Sequence, residues 1–218
     1  MIKYYLLWFT LYYLGKNKTK YPSYILASVH TARLLYNGLQ SRILSLNRIK
    51  SLLGWSRSYF ITDSLISSSF LLTDMYNNLK NNEPLLNVNV AHVGYLVHHY
   101  IAYNFLSIYD NFNLYVKEES QNEFNNTLRF LEISNVFLYI TYFLYENYGK
   151  KHNISKLSLL LETGVYSYIR IYILGSFLLN NCQNLDESIS LQFLILYGLS
   201  FYWSSSLCVQ SYKTIMRR

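Results

Sequence analysis

Cysteine, proline and charge are scarce in this chain of 218 residues. It has 2 Cys and 2 Pro, and only 14% of its residues are charged, whereas a soluble domain carries about 25%. Cys182 and Cys208 are too few for a disulfide scaffold and have neither a metal-type nor a redox-type spacing. The low charge leaves the chain short of what a water-exposed surface needs.

Apolar and aromatic residues are abundant instead. Apolar residues make up 51% of the chain, and the aromatic ones include 24 Tyr and 12 Phe. This much apolar surface excludes a disordered chain. The apolar residues form long continuous runs, which differ from the alternating segments of about ten residues that membrane β-barrels need. We therefore predict an all-α protein, a polytopic transmembrane helical bundle.

Seven apolar runs predict the spans, because a helix needs about 20 mostly apolar residues to cross a bilayer. The first run, residues 2–14, is short, so we expect a marginal span or an interfacial helix. The other spans are predicted at residues 22–44, 56–73, 90–109, 127–145, 157–179 and 189–212. The chain then divides into a short N-terminal apolar helix with a basic loop, residues 1–21, and a transmembrane domain, residues 22–218.

The formal net charge of +7 fits the same interpretation. The basic residues cluster between the apolar runs, as they do beside membrane spans, and do not form the solvent-facing stripe of a nucleic-acid-binding domain. We expect membrane lipids as partners and no nucleic acid. The distribution of Lys and Arg favours a cytoplasmic C-terminus. The basic residues of the 42–57 loop oppose this topology, unless that loop lies as an amphipathic helix on anionic lipid.

Ionisable side chains within the predicted spans are the informative residues. Each costs on the order of 3 kcal/mol at the centre of a span, and such groups mostly face a bundle interior or a wet cavity. The chain places these groups at His30, Asp63, His98, His99, Glu132 and Arg170. We expect them to converge on one interior cavity. An intramembrane ion pair between Asp63 and Arg170, or hydrogen bonds to Tyr hydroxyls, is the structural alternative.

Helical spacing limits which side chains can act together. Glu132 and Asn135 are three residues apart and share a face. His98 and His99 lie about 100° apart around the helix axis, so at most one of them points straight into a cavity. An imidazole there can act as a general base, accept an acyl group, ligate metal, or only bond a neighbouring helix. With five His in all, the chain falls short of the roughly eight that a membrane di-iron oxygenase needs, so no metal site is predicted.

Six short segments are similar, in order, to those of a known family of membrane proteins. They are SVHTA (28–32), SYFITDSL (58–65), VHHYIA (97–102), LEISNVFL (131–138), YIRIYILG (168–175) and FYWSSSLCVQSYKTIMRR (201–218). Together the segments resemble the TLC-domain family, named for translocation-associated membrane proteins, longevity-assurance ceramide synthases and a neuronal ceroid-lipofuscinosis protein. The resemblance covers residues 22–218 and implies a six-helix barrel that follows the marginal first helix.

The chain departs from the pattern of that family in two places. Asn135 and Val136 stand where the non-synthase branch has Thr and Pro, so a helix kink is in doubt. The extended synthase signature that follows the paired histidines is absent. The resemblance is therefore to the non-synthase branch. It implies a multi-pass protein that binds or handles lipids, with His30, Glu132, Asn135 and Arg170 as lipid-binding residues.

The alternative implied by the resemblance is an acyl-CoA-dependent N-acyltransferase of ceramide-synthase type. His98, His99 and Asp63 would then be catalytic, and acyl-CoA would be a substrate; no cofactor is expected. A third interpretation, a translocation-associated protein, rests on analogy alone. The expected location is the endoplasmic reticulum or another endomembrane. Residue composition typical of AT-rich coding sequence suggests a protist or a large DNA virus, and for a virus this endomembrane would be that of the host.

Overall fold

The computed structural model describes residues 2–16, 18–19, 22–40, 46–81 and 90–216, and almost all of them are helical. Within these residues the extended structure is a single isolated bridge between Val116 and Leu185. The predicted all-α class is confirmed. The contacts divide the chain into two compact units, one of residues 1–30 and 36–110 and the other of residues 31–35 and 111–218.

The first unit is built on helix α3. Its helices are α1 (Ile2–Lys16), α2 (Pro22–Gln40, of which 31–35 belong to the other unit), α3 (Leu46–Lys80) and α4 (Val90–Ser107). Helix α3 packs against both α1 and α4. The three later helices correspond to the second, third and fourth predicted spans, and α1 to the marginal first one.

Aromatic packing fixes α1 on α3. Trp8 is fully buried, its ring centroid lies 4.2 Å from that of Trp55, and its indole N–H donates to Ser58 Oγ at 3.0 Å. Ser58 Oγ in turn donates to the carbonyl of Trp55 at 2.8 Å. The Trp8 indole N–H and the Ser58 hydroxyl are therefore both paired where they are buried, which offsets the cost of removing them from water. Although sequence reasoning separated residues 1–21 from the rest, α1 packs within the first unit; that domain boundary stays a prediction.

The second unit contains the remaining helices. They are α5 (Phe112–Tyr115), α6 (Glu118–Tyr148), α7 (Asn153–Ser167), a π-helical turn (Tyr168–Ile173), α8 (Leu174–Asn181) and α9 (Glu187–Met216). Helix α7 packs between α6 and α9, and Phe124, Phe177 and Phe193 form an aromatic core with ring centroids 5.0–6.2 Å apart. Helices α6 and α9 contain the fifth and seventh predicted spans, and α7, the π turn and α8 make up the sixth.

Helix α9 begins at a well-formed cap. Asp186 Oδ1 accepts hydrogen bonds from the backbone N–H of Ser188 at 2.9 Å and from its hydroxyl at 2.5 Å. These bonds lower the pKa of Asp186 because they favour the charged carboxylate. The backbone N–H of Asp186 also donates to the carbonyl of Tyr115 at 2.8 Å, so the start of α9 is tied to the end of α5.

Two helices extend into segments that the sequence predicts to be loops. Helix α3 begins at Leu46, within the segment 42–57 that was expected to be a loop or an amphipathic helix, and it continues to Lys80, into the loop expected at 74–89. Helix α6 begins at Glu118, within the loop expected at 110–126, because Glu118 and Glu119 in its first turn complement the helix dipole. Residues 41–45, which include Arg42, and residues 82–89 lie outside the described residues.

Hydropathy identifies one stretch that could cross a bilayer. Within the described residues, the helical segment 153–184 is long and apolar enough by length and composition. Only 39% of its most apolar window is buried inside the protein, whereas the core helix of a soluble domain is mostly buried. Among the described residues this stretch, the sixth predicted span, is the one that meets the criterion, and the other spans and the polytopic bundle stay predictions.

Candidate functional site

The predicted catalytic aspartate lies in a cluster of aromatic and histidine side chains in the first unit. Asp63 is fully buried on α3. Its Oδ2 accepts hydrogen bonds from the hydroxyls of Tyr95 at 2.5 Å and Tyr59 at 3.3 Å. Nδ1 of His99 lies 3.6 Å from the same oxygen. We call His30, Tyr59, Asp63, Tyr95 and His99 the histidine cluster.

His99 lies within ion-pair distance of Asp63. The side chain is almost fully buried on α4, and its ring lies 4.2 Å from that of Tyr95 and edge-on to Phe60 at 5.2 Å. A contact of 3.6 Å is within ion-pair range but longer than a hydrogen bond. A carboxylate beside an imidazole selects the ring tautomer and stabilises the protonated form, which is the arrangement of a general base with its orienting group.

His98 stands apart from this pair. It is half-buried, and its ring centroid lies 5.7 Å from that of His99, tilted by 49°. The imidazole within ion-pair distance of Asp63, at 3.6 Å, is that of His99. This agrees with the expectation, from the 100° step of the helix, that only one of the adjacent imidazoles can point inward.

His30 has a packed, hydrogen-bonded position in the same cluster. Its ring stacks on Tyr59 with centroids 4.2 Å apart and planes 16° from parallel, and Nε2 lies 3.0 Å from Ser56 Oγ. Trp8 closes the other side at 6.4 Å. With 1% of its surface exposed, His30 orients Tyr59, which donates to Asp63. The expected lipid-binding role of His30 stays a prediction.

Arg170 organises a second cluster in the second unit. It is 1% exposed and lies in the π-helical turn after α7. Nε donates to Ser134 Oγ at 3.0 Å, and Nη2 donates to Asn135 Oδ1 at 3.0 Å and to the carbonyl of Leu131 at 3.3 Å. The guanidinium stacks over the ring of Tyr166 at 5.1 Å. We call Leu131, Ser134, Asn135, Tyr166 and Arg170 the arginine cluster.

Glu132 lies beside the arginine cluster on α6. It interacts electrostatically with Arg170, and its Oε2 accepts a hydrogen bond from Thr31 Oγ1 at 3.2 Å. Glu132 and Asn135 share a face, as their spacing predicted, and that face carries the acceptor for Arg170. The basis of this local fold is a helix surface of small and amide side chains that lets a guanidinium lie against the backbone.

The structure therefore groups the predicted residues by unit. It places His30, Asp63, His98 and His99 in the first unit and Glu132, Asn135 and Arg170 in the second. Asp63 and Arg170 each have hydrogen-bond partners within their own unit, and the ion pair between them stays a prediction. The single interior cavity inferred from the sequence stays a prediction.

Sequence reasoning missed Glu162, a second buried acid of the second unit. It is 1% exposed on α7 and hydrogen-bonds to the hydroxyl of Thr141, which also contacts Ser158 Oγ at 2.8 Å. Its Oε1 has no hydrogen-bond partner among the described residues. The sequence signal that identified the other residues, a single charge within an apolar run, is present here too. Glu162 is the only charged residue between Leu157 and Ile169.

Metal chemistry finds no support in the geometry. Among the described residues, no group of three or more His, Cys, Asp or Glu side chains is placed to hold a metal ion. The polar groups around the Asp63 carboxylate are the His99 imidazole, the phenols of Tyr59 and Tyr95, and the hydroxyl of Ser23. This donor set suits proton transfer and hydrogen bonding.

Comparison with known proteins returned no relative. No family model matches the chain, and no curated protein or solved structure matches it. The resemblance to the TLC-domain family thus rests on the six segments alone and stays a prediction.

Proposed function

We propose that this chain is a multi-pass membrane protein of TLC type that binds lipids among its helices. The observation that carries the proposal is a partial inversion of polarity. Beside the aromatic core, the buried positions of the second unit also hold polar groups: Ser134, Ser155, Glu162, Arg170, Ser200 and Ser204. Exposed positions are held by large apolar groups: Phe143, Leu157, Leu161, Leu179, Leu191 and Phe201.

This inversion is typical of helices solvated by hydrocarbon. In lipid, helices associate through small and polar side chains, while apolar side chains face outward without cost. Leu179 is 84% exposed, and the contact face of α9 changes to Ser200, Ser204 and Ser211 along its second half. A soluble protein would place such an apolar exterior in water, where extended apolar patches cause association.

Helix length supports more than one crossing. Helices α3, α6 and α9 have 35, 31 and 30 residues, and at 1.5 Å per residue each exceeds the roughly 30 Å of a hydrocarbon core. By composition alone none of the three is apolar enough to count as a membrane span, because Tyr, Ser and other polar residues occupy many of their positions. Tyr hydroxyls and Ser side chains are tolerated in spans where they bond neighbouring helices or lie near the interface.

Labelling of the native cysteine Cys182 tests the proposed membrane topology. Cys182 is exposed between α8 and α9, so a cytoplasmic C-terminus places it on the opposite face of the membrane. In a Cys208→Ser background, an impermeant maleimide added outside sealed, cytoplasmic-side-out vesicles should leave Cys182 unlabelled until the membrane is opened. Labelling of Cys182 on the same side as a protease-accessible C-terminal tag would show that α9 does not cross.

Lipid binding is supported by a buried cation with unused donors. Nη1 of Arg170 has no hydrogen-bond partner among the described residues, although the rest of the guanidinium is engaged. In hydrocarbon such a donor favours an anionic or carbonyl oxygen. Lipid co-purified with the wild type and reduced in Arg170→Lys, measured by mass spectrometry, would support the role; equal lipid content in both would contradict it.

The histidine cluster favours one alternative function, acyl transfer from acyl-CoA to an amine. His99 would remove a proton as the amine attacks the thioester carbon, the bond to sulfur would break, and the released thiolate would take up a proton. Asp63 would orient His99 and stabilise its charged form, from 3.6 Å away. The half-buried His98 would border the site without a direct role.

The different positions of His98, His99 and Asp63 predict a different loss of acyltransferase turnover for each variant. With acyl-CoA and a sphingoid amine, His99→Ala should lower turnover by at least about 100-fold, the usual contribution of a general base. His98→Ala, the matched control, should lower it less than tenfold, and Asp63→Asn should fall between them. Absence of turnover in the wild type, with lipid still bound, would select the non-catalytic function. Equal losses for both histidine variants would contradict the assignment of His99.

A further inference from the structure

A basic cleft opens between the end of α6 and the second half of α9. It has a volume of about 730 Å³ and is open to the outside. Its lining includes Tyr142 of α6, Lys150 just after that helix, and Tyr202, Gln210 and Lys213 of α9. The volume is within the range of about 300–1,000 Å³ that accommodates small ligands.

The charge of the cleft is of one sign. Lys150 and Lys213 line it, and no acidic residue is among the lining residues. The remaining polar groups are neutral: the Gln210 amide and the hydroxyls of Tyr142, Tyr202, Ser205, Ser206 and Thr214, of which the Thr214 hydroxyl already donates to the carbonyl of Gln210. Two ammonium groups with several hydroxyl and amide donors form a suitable environment for a phosphate anion.

Lys150 is held at the cleft by an aromatic ring. Its Nζ lies 5.6 Å from the ring centroid of Tyr145, within the range of a cation–π interaction. Tyr145 hydrogen-bonds to Gln210, a lining residue on the opposite helix. The ammonium group is therefore oriented by contacts on both helices that border the cleft.

Apolar surface continues from the cleft along α9. Val209 and Tyr202 belong to its lining, and Phe201, Tyr212 and Ile215 are exposed on the same helix. Tyr and Lys together are typical of the headgroup region of a bilayer, where rings lie at the interface and ammonium groups meet phosphates. A ligand that fits both parts has a phosphate joined to apolar chains.

We propose that this cleft binds the phosphate of an anionic phospholipid headgroup. The proposal rests on the membrane placement proposed above, but it uses none of the side chains of the histidine or arginine cluster. With a cytoplasmic C-terminus, the cleft faces the leaflet that carries the anionic lipids. The site would anchor the ends of α6 and α9 at a fixed depth and select lipid by charge.

A charge-matched pair of variants tests the site. The full-length protein is reconstituted in phosphatidylcholine vesicles with a fluorescent phosphatidic acid, and lipid binding is titrated. Lys150→Ala with Lys213→Ala should weaken phosphatidic acid binding about 25-fold, at about fivefold for each lysine. Lys151→Ala with Lys156→Ala is the control, because it removes the same charge from residues outside the cleft. The control should change binding less than threefold.

Three results would overturn the proposal. Equal losses in both double variants would assign the binding to general surface charge. Displacement by soluble glycerol 3-phosphate at the same concentration as phosphatidic acid would assign the cleft to a free phosphate ester. Wild type that binds phosphatidic acid no better than phosphatidylcholine would remove the site. If the alanine pair does not fold, Lys150→Gln with Lys213→Gln gives the same comparison at nearly equal side-chain length.

Failure of the membrane placement has a separate signature. A protein that does not float with vesicles of phosphatidylcholine alone contradicts the proposed function, and the cleft proposal falls with it. A protein that floats with those vesicles but lacks preference for phosphatidic acid contradicts only the cleft.

Discussion

The histidine and arginine clusters present the same signal in the sequence and different solutions in the structure. Each begins with an ionisable residue in an apolar run. Asp63 is surrounded by phenols and an imidazole, and His99 approaches it at 3.6 Å without a hydrogen bond. Arg170 makes three hydrogen bonds to α6 and stacks on Tyr166. The histidine cluster can exchange a proton or a hydrogen-bond partner, whereas the arginine cluster fixes two helical segments against each other.

The difference teaches that burial of charge alone does not identify function. A guanidinium with neutral acceptors on an adjacent helix stabilises packing, because each bond to a charged donor contributes more than a neutral one. An imidazole near a carboxylate retains the freedom that proton transfer needs. We therefore expect substitutions to affect stability most in the arginine cluster and activity most in the histidine cluster.

The largest loss of stability is expected from Arg170→Leu. The variant leaves Ser134 and Asn135 without their donor and Glu132 without its nearby positive charge, so the free energy of unfolding should fall by about 3–5 kcal/mol. Arg170→Lys keeps the charge but not the planar fork of donors and should lose about half as much. Thermal unfolding in detergent measures both. An unchanged midpoint in Arg170→Leu would show that the cluster does not join the helices.

A smaller loss is expected from His30→Ala. The variant removes the stack on Tyr59 and the bond to Ser56, and it leaves a cavity beside Trp8, so the cost should be about 2–3 kcal/mol. Ser56→Ala removes only the hydrogen bond and should cost about 1 kcal/mol. Equal losses in the two variants, in the same unfolding assay, would mean that the ring stack contributes nothing.

The smallest effect, of opposite sign, is expected from Glu162→Gln. One carboxylate oxygen of Glu162 has no hydrogen-bond partner among the described residues, and a neutral amide of equal size avoids the cost of a buried charge. The variant should be as stable as the wild type or more stable by up to about 1 kcal/mol. Glu162→Ala also opens a cavity and should lose about 2 kcal/mol. A clear destabilisation by Gln would show that the charge itself is needed.

The helices were predictable because their signal is local. Long apolar runs indicated where helices lie, and each predicted span corresponds to a helix. The ends were less predictable, since polar residues such as Asn77 and Asn122 continue helices beyond the apolar segment. Propensity and capping at such ends are weak compared with the packing of the rest of the helix.

The grouping of the site residues depended on contacts far apart in the chain. Helical spacing predicted that one of two adjacent histidines faces inward, and Asp63 lies near His99. The sequence did not indicate that Ser134 and Asn135 receive Arg170, because that contact joins residues about 35 positions apart. Nor did it indicate the division into two units, which depends on which helices pack together.

The π turn at Tyr168–Ile173 limits where this protein can accept insertions and deletions during evolution. Such a turn holds one residue more than an ordinary one, so it rotates everything after it by about 100° relative to an uninterrupted helix. Deleting any one residue of the turn would restore a regular α-helix. It would also rotate Phe177 and Leu178 out of the core in which they are buried. Insertions and deletions should therefore be tolerated after Gly149 but selected against here.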